Sequence, residues 1–343
     1  MSDKKDEKKT LSRRGALGAA AGAAASLPLL AQAQPAQAPA PGRGAAAPAA
    51  GRGGGGRGAP QGGTGPIRVL FISKYHQFDR EGLATTLDAL GTDISWTHVE
   101  HPAAEAFYDP AVAANYDVFL FYDAFAGREV RRRPDGSTET IYNPPSAKTQ
   151  ANLKALMQAG NKGFVFFHHA IASWCHAWPA GINGSNAYVE VMGAAADWGT
   201  PIKNIRGVDY PPSGALGGTN QRITVVDKSH PITAGVEDFD IVDEAYLCPI
   251  FEDSVHPLLR TNFVPVDTAF PARPQVKGHP AGSNLTGWYK AAERSPVVYI
   301  QHGHDIRAWE NPAFRRLMLN SIKWAASPES KTWARANEKR IFR

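Results

Sequence analysis

Four stretches of this 343-residue chain, Ile67–Ile72, Asp117–Tyr122, Phe164–Phe167 and Pro296–Gln301, are close to continuously apolar. A strand with apolar side chains at successive positions must be covered on both faces, which only a sheet sandwiched between helices provides. Helical patterns fall between and after them. One runs from about Asp79 to Leu90, and one opens at Ser146 and closes at Gly160. A third spans about Pro312 to Ala326, with Phe314, Leu317, Met318, Ser321, Ile322 and Ala325 on one face. With Ile94–Val99 as a further strand, this alternation predicts an α/β fold with a doubly wound, mostly parallel sheet.

The N-terminal fifth does not belong to that fold. Residues 1–33 carry a charged start, Arg13-Arg14, a small-residue apolar stretch to Leu30 and Ala31-Gln32-Ala33. That order reads as a twin-arginine signal peptide with a small-x-small cleavage site, hence a periplasmic or secreted protein whose first partner is the Tat export machinery. An uncleaved anchor is the alternative. Residues 34–66 are almost wholly Pro, Ala, Gly, Gln and Arg, a disordered linker with nothing to bury. The α/β domain is expected over 67–326, with 327–343 as a C-terminal tail or surface helix. The formal net charge of +5 arises in the first 66 residues, since the remainder holds 28 basic and 29 acidic side chains. A nucleic-acid partner is therefore not expected. The chain has two cysteines, Cys175 and Cys248, and no CxxC pair, so a thiolate zinc site of that type is not expected and a single disulfide stays open.

From about Gly181 to Gly287 the pattern changes to Gly, Pro and Asn punctuation around shorter strands, at Arg222–Asp227, Phe239–Glu244 and Leu258–Asn262. This is a β-rich elaboration in the middle of the chain. The polar, Arg-containing stretch from Asp123 to Pro145 reads as an insertion.

Parallel strands place their carboxyl ends on one sheet edge, where α/β proteins bind ligands. Here Tyr75 and His76 follow the first strand, Asp123 the third, His168 and His169 the fourth, and His302, His304 and Asp305 the last. Two chemistries fit such a convergence. A divalent metal held by some of His76, His168, Glu244 and His304 would polarise a carbonyl or activate a water, or a His/carboxylate pair would act as general acid and base without metal. The simpler alternative for each imidazole is a packed, hydrogen-bonded core residue. Tyr75, Trp174 and Tyr246 lie near the turns and would suit stacking on sugar rings, though core packing is the commoner fate of a tryptophan.

The segment Gly163–Pro179 with His-His-Ala-Ile-Ala-Ser-Trp, the run Asp243-Glu244-Ala245-Tyr246, and Tyr299–Asp305 through Asn311–Arg315 to Trp324 resemble the ThuA-like, or trehalose-utilisation, family. That family is similar in fold to the class I glutamine amidotransferases, which implies a flavodoxin-like sheet. The resemblance implies that His168 stands at the elbow where amidotransferases keep a nucleophilic cysteine, and that His304-Asp305 stands where they keep a His/Glu pair. Cys175 lies beyond that elbow, so amidotransferase chemistry is not expected. The resemblance further implies a role in disaccharide or glycoside catabolism, including 3-keto-glycosides. The expected site is then His304, oriented by Asp305, with His168, His169 and Glu244 as catalytic candidates. Tyr75, His76, Asp123, Trp174 and Tyr246 would contact a small carbohydrate. A non-catalytic sugar-binding or scaffold module with the same crevice is the rival reading, and a homo-oligomer is compatible with either.

Overall fold

The computed structural model describes residues 62–74, 78–176 and 186–342, all within one compact unit. The expected signal peptide, the linker up to residue 61, and Tyr75 and His76 lie outside the described residues; the last residues of the expected linker are not disordered, since Gly62 and Gly63 pair with Trp96 and Ser95. A ten-stranded sheet forms the centre. Its parallel part consists of β2 (Ile67–Lys74), β3 (Ile94–Glu100), β4 (Val118–Asp123), β7 (Gly163–Phe167) and β14 (Ser295–Ile300), with β1 (Gly62–Gly63) antiparallel on the outer edge of β3. These five strands lie in the spatial order β3-β2-β4-β7-β14 and every neighbouring pair is parallel. Renumbered along the chain, that is the 2-1-3-4-5 order of a flavodoxin-like doubly wound sheet.

The apolar runs are buried on both faces, as their patterning requires. Leu70, Ile72, Phe119, Phe121, Phe164, Phe166, Val297 and Tyr299 fill one core layer. Leu153, Leu156 and Met157 of α3 (Ala147–Ala159) and Tyr188, Val191 and Met192 of α4 (Ala187–Met192) pack into it. The alternate residues Val69, Phe71, Val118, Leu120, Val165, Phe167, Val298 and Ile300 fill the other layer, with Leu83 and Leu87 of α1 (Arg80–Asp88). Helix α2 spans Pro110–Ala113, and α5 (Ile306–Glu310) and α6 (Pro312–Ala326) complete the second layer. All six residues expected on the inner face of α6 are buried. The expected boundaries of α3 hold because Ser146 caps it through Thr149 N and Gly160 ends it at φ +64°.

The middle of the chain is β-rich, yet it forms no separate layer. Strands β10 (Gly214–Val225), β11 (Phe239–Leu247), β12 (His256–Thr261) and β13 (Leu285–Ala292) extend the same sheet antiparallel from β14 in the order β13-β12-β10-β11. The insertion after β4 is a hairpin of β5 (Arg128–Arg132) and β6 (Thr138–Tyr142), and β8 (Ile202–Ile205) pairs with β9 (Val208–Tyr210).

Two local features lie outside the strand-and-helix alternation. The Ala-rich stretch after β7 is one short 3₁₀ turn, His168–Ala172, because the backbone leaves the strand at His168 with φ +51°, a left-handed conformation in which an α-helix cannot begin. The C-terminal segment is a helix, α7 (Pro328–Ala336), but the residues beyond this helix are no loose tail. The buried Glu293 carboxylate accepts Ile341 N at 2.7 Å and Phe342 N at 2.9 Å, and the Ile341 side chain is fully buried. Cys175 and Cys248 are both buried free thiols, so no disulfide forms between them. Among the described residues, no helix is long and apolar enough to cross a membrane.

Candidate functional site

The carboxyl ends of β7 and β14 converge with β11, whose alternation sends Asp243 and Glu244 to opposite faces. His168 follows directly on β7, and its left-handed backbone throws the ring under the loop Gln301–His304 that comes after β14. Its Nδ1 lies 3.0 Å from the Gln301 carbonyl, which can only accept, so Nδ1 carries a proton. The opposite ring nitrogen is Nε2. That atom lies 3.0 Å from His304 Nδ1, 3.0 Å from the Tyr246 hydroxyl and 3.4 Å from Glu244 Oε2. His304 Nδ1 in turn lies 3.3 Å from Glu244 Oε2. Two imidazoles, a carboxylate and a phenol thus share one contact point. His168 is fully buried, whereas the His304 side chain keeps 26% of its surface exposed, which makes it the cluster's opening to solvent.

The charges follow from these contacts. Burial alone would raise the Glu244 carboxyl, but hydrogen bonds and charge from His168 and His304 overcome it and hold the group well below the usual carboxylate range. Burial would lower His304, and the Glu244 carboxylate, with Asp243 and Asp305 behind it, raises it instead. Burial keeps the phenols of Tyr246 and Tyr122 protonated far into the alkaline range. The result is a His304–Glu244 hydrogen-bonded pair in which the carboxylate favours a proton on His304 Nδ1 and leaves Nε2 as the nitrogen that can gain or lose a second one, backed by a buried second imidazole.

What orients His304 is not Asp305. Asp305 caps α5 by accepting Arg307 N at 2.9 Å and pairs with the Arg307 guanidinium, acting on His304 only through its charge. The orienting group is Asp243, which is 1% exposed. Its Oδ2 accepts Gly303 N at 2.7 Å and lies 3.4 Å from His302 Nδ1, while Oδ1 accepts His304 N at 3.1 Å. Tyr122 closes the grip by donating to the Gly303 carbonyl at 2.6 Å. Burial would raise Asp243, but His302, His168 and the loop amides hold it below its ordinary value. Nothing in the chain's spacing marks Asp243 above Glu244. The one signal in the sequence was a charged residue at an inward position of a strand, a placement that demands partners.

Other sequence-derived candidates lie apart from this cluster. The His169 ring is turned about 85° from that of His168, and its Nε2 donates to the Tyr122 carbonyl at 3.1 Å, a structural contact inside the sheet edge. Asp123 is 1% exposed and accepts the Ser173 hydroxyl, with His101 Nε2 at 3.5 Å. It serves this inner polar knot and reaches no crevice. Trp174 is 6% exposed with its ring edge-on to His101 at 5.8 Å, so it is packed in the core and offers no face for stacking. Tyr246 contacts His168 and is buried, which makes it a partner of the imidazole rather than a platform for a sugar. Tyr75 and His76 fall outside the described residues.

His168, Glu244 and His304 each present a ligand atom within 4.8 Å of the others, a donor set that fits a divalent cation. No thiol joins them among the described residues: Cys175 Sγ donates to the Ala196 carbonyl, and burial pushes the Cys248 thiol up to about 12. An open groove of about 670 Å³ is bordered by Asn220, Gln221, Arg222, Asp240, Arg307 and Glu310, and none of His168, Glu244 and His304 lines it. Of its lining residues, Gln221 donates its amide to the Glu244 carbonyl at 3.2 Å and Arg307 pairs with Asp305.

A 2-1-3-4-5 sheet with histidines and a carboxylate gathered at its carboxyl edge defines a flavodoxin-like α/β protein with a polar site at the strand ends. Residues 68–325 match the family model ThuA, described as trehalose utilisation, and the chain belongs to that family. Membership associates it with carbohydrate catabolism in general. Several solved structures are similar. A cytoplasmic protein from Salmonella typhimurium LT2 is 10% identical with a TM-score of 0.42, covering 76% of this chain and 99% of that one. The structure of PurLQS from Thermotoga maritima is 9% identical with a TM-score of 0.41, covering 75% and 98%. A glutamine amidotransferase from Thermotoga maritima is 10% identical with a TM-score of 0.36, covering 76% and 98%. No curated protein matches the chain.

Proposed function

We propose that this protein is an exported enzyme of carbohydrate catabolism that uses His304, poised by Glu244, as a general acid and base on a glycoside activated by an adjacent ketone. The single observation that carries the reading is the His304 Nδ1–Glu244 Oε2 contact at 3.3 Å, in a cluster whose one substantially exposed imidazole is His304. Export rests on the twin-arginine pattern at Arg13-Arg14. The carbohydrate class rests on family membership.

The donor set argues for the kind of bond cleaved. Hydrolysis of an unactivated glycoside generally uses two carboxyl groups flanking the bond. This cluster has one, and it is held as a firm carboxylate, too weak a base for that task. An imidazole suits a more acidic proton. In a 3-keto-glycoside the C2 hydrogen lies next to the carbonyl and the C1 substituent lies beyond it. His304 Nε2, on the ring edge opposite Glu244, would remove the C2 proton. The electron pair then forms the C1=C2 bond as the C1–O bond breaks, and the same nitrogen returns the proton to the departing oxygen, giving a free alcohol and an unsaturated keto-sugar. Glu244 stabilises the imidazolium formed in between, His168 and Tyr246 fix the edge of the pair, and Asp243 holds the His304 backbone. The groove beside Gln221 and Arg307 has the volume of a small-ligand site and would take the rest of the substrate.

A divalent cation held by His168, Glu244 and His304 is the alternative use of the same atoms: it would supply Lewis-acid polarisation of the ketone oxygen in place of the acid–base role of His304. The test is turnover of methyl 3-keto-glucoside and of methyl glucoside by the wild-type protein and by His304→Gln, with metal analysis of the same preparations. The reading expects turnover of the keto-glycoside alone, lost in the variant with folding intact. Binding of either compound without turnover would favour a sugar-binding module and overturn it.

A further inference from the structure

A second cluster of ligating side chains lies outside the His168–His304 site. Cys175 and His176 come just after the elbow segment, and Asp197 precedes β8. One ligand atom from each, the thiol sulfur, an imidazole nitrogen and a carboxylate oxygen, lies within 4.8 Å of the others. Cys175 is 4% and Asp197 1% exposed, so this is no chance meeting of surface groups.

The carboxylate is prepared in a way that an ordinary helix cap or surface ion pair does not require. Asp197 Oδ1 accepts Gly199 N at 2.7 Å and Thr200 N at 2.8 Å, which fixes the plane of the group. Asp197 N and O are both bonded to Ser213, which fixes its backbone. Oδ2 is thereby aimed at His176 Nε2, 2.8 Å away, and receives the Tyr142 hydroxyl at 2.7 Å. The Tyr142 ring lies against the imidazole with centroids 4.3 Å apart. A fixed carboxylate oxygen with an orienting hydrogen bond, a held imidazole and an adjacent thiol are the arrangement of a transition-metal site with its outer partners in place.

We infer that Cys175, His176 and Asp197 bind a zinc-class divalent ion, with water left to complete the tetrahedral shell. On binding, the Cys175 S–H proton leaves to solvent as the sulfur turns from the Ala196 carbonyl to the metal, and the proton that His176 Nε2 now donates to Asp197 is given up, the neutral ring holding its proton on Nδ1 so that Nε2 donates its lone pair to the metal. Tyr142 stays a neutral phenol donating to Asp197. One thiolate, one imidazole and one carboxylate give a mixed set that favours zinc or cobalt over magnesium or calcium. The ion would tie the segment after the elbow to the Asp197–Trp198 wall. Trp198 packs against Tyr246 with ring centroids 5.2 Å apart, so the clamp would brace the residue that contacts His168.

The site contains the sulfur that the His168–Glu244–His304 cluster lacks, which separates the two experimentally. The full-length chain, stripped with chelator, is titrated with Co²⁺. The inference expects a thiolate-to-cobalt charge-transfer band in the near ultraviolet, absent in Cys175→Ser and retained in Cys248→Ser and in His304→Gln. If Cys175→Ser does not fold, X-ray absorption on the zinc-loaded wild-type protein replaces it and should show one sulfur at about 2.3 Å beside nitrogen and oxygen neighbours. A band that survives in Cys175→Ser, no sulfur-dependent band at all, or a zinc shell of nitrogen and oxygen only would overturn the inference.

Discussion

Replacing Asp243 by Asn removes the charge that holds the Gly303–His304 loop while changing almost no volume. The wild-type carboxylate accepts two backbone N–H groups, at 2.7 and 3.1 Å, and faces His302 Nδ1 at 3.4 Å, with only 1% of its surface exposed. Hydrogen bonds to a buried charged group each contribute about 1.5–3 kcal/mol, and an Asn can accept only through one oxygen, so its amide must turn N–H against N–H. The loss should be about 3 kcal/mol, or a Tm fall of about 6 °C for a folded part of this size. Urea unfolding at pH 7 measures it. The pH dependence gives a second check. The folded Asp243 group sits below its ordinary value, so its stabilisation is complete above the unfolded value near 4 and is lost as pH falls through the lower folded value. The gap between wild type and variant should therefore be constant from pH 7 to 5 and narrow only below about 4. A loss under 0.5 kcal/mol at pH 7, or a gap that closes between pH 7 and 5, would refute the role given to this carboxylate.

Three further outcomes are expected. Gly163→Ala should destabilise by about 2 kcal/mol in denaturant melts, because the added Cβ would stand 2.4 Å from the Ala325 carbonyl oxygen of α6, a backbone atom with little room to move. Tyr246→Phe, which deletes the hydroxyl 3.0 Å from both His168 ring nitrogens, should cost about 1 kcal/mol and lower kcat more than it changes KM, as read by thermal melts and steady-state kinetics. Burial, assisted by His256, pushes His230 down to about 4. The unfolded imidazole takes its proton first, so the stabilisation is complete above about 6.5 and lost on the way to pH 4. After discounting for a half-buried ring this is about 1–2 kcal/mol, absent from the pH-stability curve of His230→Gln.

The parallel half of the sheet was legible because burial on both faces forces unbroken apolar runs, and α3 and α6 because Ser146, Gly160 and the spacing of Phe314 through Ala325 mark their ends and inner faces. The extension by β10 to β13 was only partly legible. Leu285–Ala292 contains Gly287, Lys290 and two alanines, and it is a strand because β12 and β14 pair with it on both sides. The meeting of His168 and His304 follows from the parallel direction of β7 and β14, whereas Glu244 arrives on β11, an antiparallel strand that strand direction alone does not bring there. Which carboxylate orients His304 does not follow either, because Asp305 is next in sequence while Asp243 arrives through a sheet register that no local pattern encodes. Trp174 misled for a similar reason: its φ of +54° turns it into the core beside His101.

The most direct test of the account is proton exchange at C2 of methyl 3-keto-glucoside in deuterated buffer, monitored by NMR with wild-type protein, His304→Gln and Glu244→Gln. If His304 is the base, wild-type protein accelerates loss of the C2 proton and release of methanol together. His304→Gln should abolish both by at least about 100-fold while melting like wild type, and Glu244→Gln should shift the pH profile of the reaction downward as His304 loses the carboxylate that raises it. C2 exchange and methanol release that proceed equally well in His304→Gln would contradict the assignment.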